Sequence, residues 1–240
     1  MCTVSWIHEN GGYQLLCNRD EKRTRKPAVP PQLQTRNDTR YIAPSDGDHG
    51  GTWIAANERG MSLCLLNGTP NAERFLHSRS RGHLIPELIA AQTLWEVCER
   101  IANTNLACYA PFTLIGLEPS SPATLIEWDG IETAIVPYAD HYMPVTSSSF
   151  DPDAVRQRRK AEFARLSKAY GRITPDLLFF FHENHGPHPD AYSTCMHRPD
   201  AETVSFSWVQ VTPTNIDFLY SPAAPCQWHQ AGHSILERAA

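Results

Sequence analysis

The sequence lacks the positive charge that nucleic-acid-binding proteins usually carry. Lysine and arginine number 21 against 26 aspartates and glutamates, and the formal net charge is −5 at pH 7. Because general nucleic-acid binding depends on a basic surface, we expect no nucleic-acid partner.

Long apolar runs and targeting features are also missing. No stretch approaches the roughly 20 apolar residues that cross a bilayer, so we expect no membrane span. The first twelve residues include His8 and Glu9 but lack the positive region of a secretory signal peptide. The seven cysteines are an odd number without a framework spacing, as is typical of proteins in a reducing compartment. We therefore predict a cytoplasmic protein.

Metal and cofactor motifs are weak. Three histidines recur every third residue at His182, His185 and His188, but glycine and prolines between them break the helix that would align them. A second candidate set has ligand spacing but no evident fourth ligand: Cys226, His229 and His233. The glycine-rich stretch 46–51 has no Walker-type lysine and is interpreted as a substrate-gating loop. We expect solvated or locally hydrogen-bonded histidines and no cofactor.

Short alternating segments between turn sequences predict paired antiparallel strands. These strands span residues 3–7, 13–17, 52–56, 61–66, 108–118, 123–128, 132–136, 203–211 and 216–220. Helical spacing predicts helices over 84–102 and 151–170, the second ended by Gly171. No repeat or linker divides the chain. We therefore predict one α+β domain over residues 1–240.

The remaining segments are predicted to be less regular. Polar residues 18–21 should end the second strand, and residues 22–48 should form a long loop. Residues 176–182 are apolar but ambiguous, and a Pro-rich tail should follow the last strand. The basic run 156–160 is interpreted as a solvated helix face. Four tryptophans are expected in the core: Trp6, Trp53, Trp95 and Trp128.

Cys2 directly follows the initiator methionine. Because a small residue at this position normally permits removal of Met1, we expect the mature chain to begin with cysteine. Such a residue carries a thiol with a pKa of about 8.5 and an α-amine with a pKa of about 7.7–8.0. A nucleophile with its own base attached is one way to perform acyl transfer.

The first two predicted strands would bring charged groups to Cys2. A turn at residues 9–12 makes the strands antiparallel, which places Cys2 near Asn18, Arg19 and Asp20. An arginine beside the thiol would favour thiolate. Asp20 could orient the α-amine as the proton acceptor.

Four segments together carry a family resemblance. They are Met1-Cys2, Asn18-Arg19-Asp20-Glu21, Gly50-Gly51-Thr52-Trp53, and Asn57-Glu58-Arg59-Gly60 with Leu66-Asn67. The chain resembles the NRDE family, also called the transport and Golgi organisation protein 2 family. The resemblance implies an N-terminal nucleophile hydrolase with a four-layer αββα sandwich of antiparallel sheets, in which Cys2 is the nucleophile. It also implies that Asn18, Glu21, Gly51 and Trp53 lie at the substrate.

A more distant likeness concerns the fourth segment. Bile-salt hydrolases and penicillin V acylases have a similar turn before a strand that ends in Leu-Asn, and this likeness makes Asn67 the candidate oxyanion donor. Those enzymes separate their arginine and aspartate by two residues, whereas Arg19 and Asp20 are adjacent. The likeness therefore implies that one of two carboxylates, Asp20 or Glu21, serves the amine. Arg198 stands roughly where many family members have a Tyr-Gly-Thr-Arg-like stretch and is a candidate substitute for its arginine.

These residues predict an N-terminal cysteine hydrolase or acyltransferase that cleaves a small amide, ester or thioester. The alternative is a non-catalytic binding or trafficking protein on the same fold, because the resemblance also implies lipid and haem handling. Four residues carry groups that can ligate haem: Cys2, Cys195, Met196 and His197. A third interpretation is a zinc enzyme that uses the C-terminal cysteine and histidine set.

Overall fold

Two antiparallel β-sheets form the centre of the protein, as seen in a computed structural model that describes residues 2–68, 79–228 and 232–239. Within these residues the strands are β1 (Cys2–Glu9), β2 (Gly12–Lys22), β3 (Val29–Arg36), β4 (Thr39–Ser45), β5 (Ile54–Asn57), β6 (Ser62–Asn67), β7 (Phe112–Glu118), β8 (Ser121–Trp128), β9 (Thr133–Val136), β10 (Val145–Ser147), β11 (Ala201–Val211), β12 (Asn215–Ser221) and β13 (Gly232–Glu237). The helices are α1 (Leu84–Leu88), α2 (Leu94–Ala102), α3 (Pro152–Tyr170) and α4 (Pro175–Glu183).

The strands divide into two sheets that pack face to face. One sheet has the order β10-β1-β2-β11-β12-β13, and the other runs from β3 to β9 in sequence order. An apolar core lies between them, and separate apolar clusters join α1 and α2 to the second sheet and α3 and α4 to the first. The result is the predicted four-layer αββα arrangement.

Strand β1 packs against the second sheet on one face and against helices α3 and α4 on the other. Val4 and Trp6 face the core between the sheets. Thr3 and Ser5 alternate with them and contact Arg159 of α3 and His182 of α4. Because successive side chains of a strand point to opposite faces, one strand supplies both interfaces.

Several predicted elements are confirmed. The hairpins β1–β2 and β5–β6 and the strands β7, β8, β9, β11 and β12 lie where the sequence places them, apart from their end residues. Helix α3 begins at Pro152 and ends before Gly171, whose φ of 75° lets it cap the helix as expected. The ambiguous residues 176–182 belong to helix α4, which Thr174 caps by accepting a hydrogen bond from the backbone N of Leu177.

Two predictions about the N-terminal third are wrong. Strand β2 does not end at residue 18 but continues to Lys22, because β11 pairs along this length and buries its polar residues. Residues 22–48 are not a long loop, since they contain the β3–β4 hairpin. Asn37 and Asp38 form its turn with φ values of 46° and 60°, a conformation that asparagine and aspartate tolerate well.

Three further predictions fail elsewhere. The helix over 84–102 is interrupted after Leu88 and restarts behind Thr93, whose side chain caps α2. The Pro-rich tail contains strand β13, which pairs with β12. Trp95 is 74% exposed, whereas the other three tryptophans of the predicted core are buried.

Among the described residues, no helix is both long and apolar enough to cross a membrane.

Candidate active site

A cavity of about 540 Å³ opens where the two sheets meet near the start of β1. Cys2 and Arg19 line it from the first sheet, and Asn67 lines it from the end of β6. Gly51 and Trp53 contribute the wall just before β5. The structure thus brings together residues that the sequence analysis assigned from separate segments.

Cys2 lies between two strands at this cavity. It is directly opposite Arg19 on β2, as the predicted hairpin requires, and opposite Ser147 on β10. The backbone N of Cys2 donates a hydrogen bond to Ser147 Oγ at 3.2 Å. The side chain is only 5% exposed. Ser147 was missed by sequence reasoning because 145 residues separate it from Cys2.

The Cys2 thiol is held in its neutral form. Its hydrogen bond with Cys17 and its burial raise its pKa well above the ordinary value. Arg19 is not among the named causes of this shift. Arg19 instead forms an ion pair of 2.6 Å with Asp46 and stacks over the Trp53 ring at 4.5 Å.

Asp46 anchors the cations at the cavity wall. Its carboxylate pairs with Arg19 and with Arg25, at 2.6 and 2.8 Å, and accepts backbone hydrogen bonds from Asp48 and His49. Burial acts to raise the pKa of Asp46, but these N–H groups and guanidinium groups lower it below its usual value. The stretch 46–51, interpreted above as a gating loop, therefore fixes Arg19 in place.

Asp20 alternates with Arg19 along β2, and both Asp20 and Glu21 are among the residues that line the cavity. Thr203 Oγ1 donates a hydrogen bond of 2.7 Å to Asp20 Oδ1, and the Arg159 guanidinium lies 3.3 Å from Asp20 Oδ2. Glu21, in contrast, is half-buried and 3.7 Å from Arg19. Of the two candidate carboxylates, Asp20 is the one that the fold buries and fixes.

Arg159 corrects the interpretation of the basic run as a solvated face. Its side chain is 1% exposed, and it contacts Thr3 and Asp20 across the layer boundary. A signal was present in the sequence, because Arg159 falls at helical spacing on the buried stripe of α3 with Val155, Phe163 and Leu166.

Asn18 and Arg198 are not among the described residues that line the cavity. Asn18 is fully buried and donates hydrogen bonds of 2.9 Å to the carbonyls of His182 and Thr194. His182 bridges Asn18 Oδ1 and Ser5 Oγ, and burial near Arg159 lowers its pKa to about 3. Asn18 therefore holds α4 to the sheet. Arg198 pairs with Asp200 at 2.8 Å and covers the Phe150 ring.

Gly51 forms part of the cavity wall through a close backbone approach. A Cβ at position 51 would lie 2.7 Å from the carbonyl carbon of Gly82. We expect Gly51→Ala to lower the free energy of unfolding by about 1–3 kcal/mol in urea denaturation, because the backbone must shift. Gly232→Ala is the control, since its Cβ would meet nothing closer than 3.9 Å. Equal effects of the two substitutions would contradict this account.

A cluster of metal-ligating groups lies apart from this wall. The ligand atoms of His185, His197 and Cys226 all lie within 4.8 Å of one another in the described part of the chain. The predicted set of Cys226 with His229 and His233 does not match this cluster, because His233 Nε2 lies 2.8 Å from an oxygen of Asp217, and His229 falls outside the described residues.

The four candidate haem ligands, Cys2, Cys195, Met196 and His197, do not lie together at one site. Cys2 lines the cavity, whereas Cys195 and His197 contact each other and are not among its described lining residues. Met196 is buried and hydrogen-bonds through its backbone to Thr203.

Comparison of the sequence with known proteins identifies one family. The Transport and Golgi organisation 2 family model matches residues 1–193. No curated protein sequence matches the chain significantly.

Solved structures of hydrolases share the fold. A mutant conjugated bile acid hydrolase from Clostridium perfringens aligns with a TM-score of 0.56 at 11% identity, over 100% of this chain and 97% of that one. An N-acylethanolamine-hydrolyzing acid amidase ortholog from Caenorhabditis elegans gives 0.61 at 15%, over 97% and 99%. Penicillin V acylase from Agrobacterium tumefaciens gives 0.50 at 13%, over 92% and 83%.

These identities are low enough that the structural matches establish the fold alone. The family match covers most of the chain. The protein therefore belongs to the Transport and Golgi organisation 2 family and has the αββα fold of N-terminal nucleophile hydrolases.

Proposed function

We propose that the protein is an N-terminal cysteine hydrolase that cleaves small amides or esters. The observation that carries the proposal is the joint placement of Cys2 and Asn67 on the walls of one cavity. Removal of Met1 would place a thiol and an α-amine on the same residue there. The relatives of this fold that are named above as hydrolases, amidases or acylases support the same reaction class.

The raised pKa of Cys2 determines how the thiol must be activated. A neutral thiol needs a base at the moment of attack, and the α-amine that removal of Met1 would expose on the same residue would serve as that base. Ser147 Oγ, which lies 3.2 Å from the nitrogen of Cys2, would orient that amine. Asp20 and Arg159 would support it indirectly by fixing strand β2 beside β1.

The reaction would then proceed through two acyl transfers. Cys2 Sγ attacks the substrate carbonyl while its proton passes to the α-amine, and Asn67 Nδ2 donates a hydrogen bond to the oxyanion. The carbon–nitrogen or carbon–oxygen bond breaks as the leaving group takes that proton. Water next attacks the thioester with the α-amine as base. The carboxylic acid leaves and the thiol is restored.

The cavity walls favour a substrate with an anionic group. Arg79 and Arg81 line the cavity. The Arg79 side chain is 58% exposed, lies 3.7 Å from Glu87 and contacts the Tyr109 ring, while Arg81 donates hydrogen bonds to the carbonyls of Gly68 and Pro111. The indole N–H of Trp53 has no hydrogen-bond partner among the described residues. These donors would bind a carboxylate or a similar group of the acyl substrate.

Intact-mass analysis with an activated acyl ester tests this proposal. Protein expressed from its own start codon should lack Met1 and gain one acyl group on the peptide that begins with Cys2. Cys2→Ala should gain none there, while Cys108→Ser, a cysteine outside the cavity walls, should react as the wild type does. Retention of Met1 in fully active protein, or equal turnover by Cys2→Ala, would refute it.

The alternative function is binding of an apolar ligand without catalysis. A second cavity of about 570 Å³ is lined by Trp95, Ile135 and Tyr138, which are exposed apolar residues of the kind that bind lipid chains. Co-purified lipid that depends on Trp95, together with no turnover of an acyl ester panel, would favour this function. A shift of the Soret band when haem is titrated into the protein would instead favour a haem-binding protein.

A further inference from the structure

The ligand atoms of His185, His197 and Cys226 lie within 4.8 Å of one another, and Cys195 joins this cluster through its contact with His197. His185, Cys195 and His197 come from the segment between α4 and β11, and Cys226 comes from the 3₁₀ turn after β12. His197 Nε2 lies 3.5 Å from Cys195 Sγ and 3.4 Å from Cys226 Sγ. The rings of His185 and His197 are 5.4 Å apart and perpendicular.

These distances match the edges of a tetrahedral zinc site. Zinc binds sulfur at about 2.3 Å and imidazole nitrogen at about 2.0–2.1 Å, so tetrahedral angles place sulfur and nitrogen about 3.6 Å apart. The two observed contacts of His197 are close to this value. A single imidazole nitrogen facing two thiols is poorly satisfied by hydrogen bonds alone, because it carries either one proton or one lone pair. A shared cation satisfies all three groups.

The outer contacts of His185 also suit a metal ligand. His185 Nδ1 lies 2.7 Å from the carbonyl oxygen of Gly186, to which it can donate its proton. That bond would leave the lone pair of Nε2 free for a metal, as in most metal-binding histidines. Asp190 fixes the intervening loop by accepting hydrogen bonds from the backbone N of Tyr192 and Ser193.

We propose that His185, Cys195, His197 and Cys226 bind one structural Zn²⁺. Two thiolates and two imidazoles are the donor set that selects zinc, and four protein ligands leave no open position for catalysis. Binding converts both thiols to thiolates, and the two protons leave to solvent. The inference does not depend on the proposed hydrolase activity, because none of the four residues is among the described lining of the Cys2 cavity.

The metal would hold in place the loop between α4 and β11, which contacts β2. Within this loop the carbonyl of Thr194 accepts a hydrogen bond from Asn18, and the backbone N of Met196 donates one to Thr203 Oγ1. Thr203 in turn holds Asp20. Zinc bound to Cys195 and His197 would fix both ends of this short run and join it to the turn at Cys226.

Metal analysis of the wild-type chain, purified without a histidine tag or added zinc, tests the proposal. We expect about one zinc per chain, retained on gel filtration. Cys226→Ser should lose most of it, whereas Cys108→Ser should keep it. Chelation should lower the melting temperature of the wild type and of Cys108→Ser but leave Cys226→Ser unchanged.

Cobalt substitution of the wild type provides a readout that needs no variant. Tetrahedral coordination with two thiolates predicts intense visible bands and a thiolate charge-transfer band. Wild-type protein without bound zinc, whose cobalt form also lacks these bands, would overturn the proposal, as would a disulfide between Cys195 and Cys226 in the native chain.

Discussion

Replacing Arg159 by methionine is expected to lower the free energy of unfolding by about 3–5 kcal/mol. The substitution removes the guanidinium that faces the buried Asp20 carboxylate, and the two side chains are 1% and 0% exposed. A buried carboxylate that loses its opposing cation has a high desolvation cost. Urea denaturation of the full chain measures the change.

Arg158→Met is the matched control for this experiment. It makes the same chemical change at the preceding residue of α3, which is exposed, so we expect an effect within about 0.5 kcal/mol. Adding Asp20→Asn to Arg159→Met should recover part of the lost stability, because the buried charge is then removed as well. Equal effects of Arg158→Met and Arg159→Met would show that the ion pair is not the cause.

Replacing Asn67 by alanine is expected to lower kcat by a factor of about 10²–10³ if the proposed hydrolase mechanism holds. The amide would act only on the oxyanion that forms during the reaction, so KM should change little. Asn67 is exposed at the end of β6, and the fold should tolerate the change. Steady-state kinetics on an acyl ester, with the melting temperature as a folding check, measures the effect.

Ser80→Ala is the control for this substitution. Ser80 lines the same cavity but has no assigned role in the reaction, so its loss should change kcat less than tenfold. An Asn67→Ala enzyme with unchanged kcat would remove Asn67 from the mechanism. A change confined to KM would assign it to substrate binding instead.

Much of this site could be predicted because its first components are local in sequence. A turn of a few residues is enough to pair β1 with β2, and antiparallel register then places Arg19 opposite Cys2. The same argument joins β5 to β6, which ends at Asn67. Turn chemistry and alternation therefore predict these strand pairings, whereas the assignment of Asn67 to the site came from the likeness to bile-salt hydrolases and penicillin V acylases.

The missing components come from distant segments. Three contacts to the N-terminal strands come from residues that are 139 to 183 positions away in sequence: Ser147, Arg159 and Thr203. No local pattern specifies such contacts. Pairing with β11 also explains why polar residues 18–21 continue a strand rather than end it. Tertiary partners there satisfy groups that the sequence alone suggests belong in water.

The protonation of Cys2 could not be predicted for a related reason. Sequence spacing places Arg19 beside the thiol, but it does not show that Asp46 takes up the charge of this arginine. It also does not show that Cys17 lies against Cys2 in the core. The electrostatics of the thiol depend on these packing details.

The position of β2 between β1 and β11 has a consequence for how the protein folds. Its first partner is adjacent in sequence, but its second arrives about 180 residues later, as the contact between Asp20 and Thr203 shows. Pairings of such high contact order form slowly. During synthesis, one edge of β2 therefore stays open until the C-terminal third emerges, and an exposed strand edge promotes aggregation. We expect the nascent chain to depend on chaperones for longer than its size alone suggests.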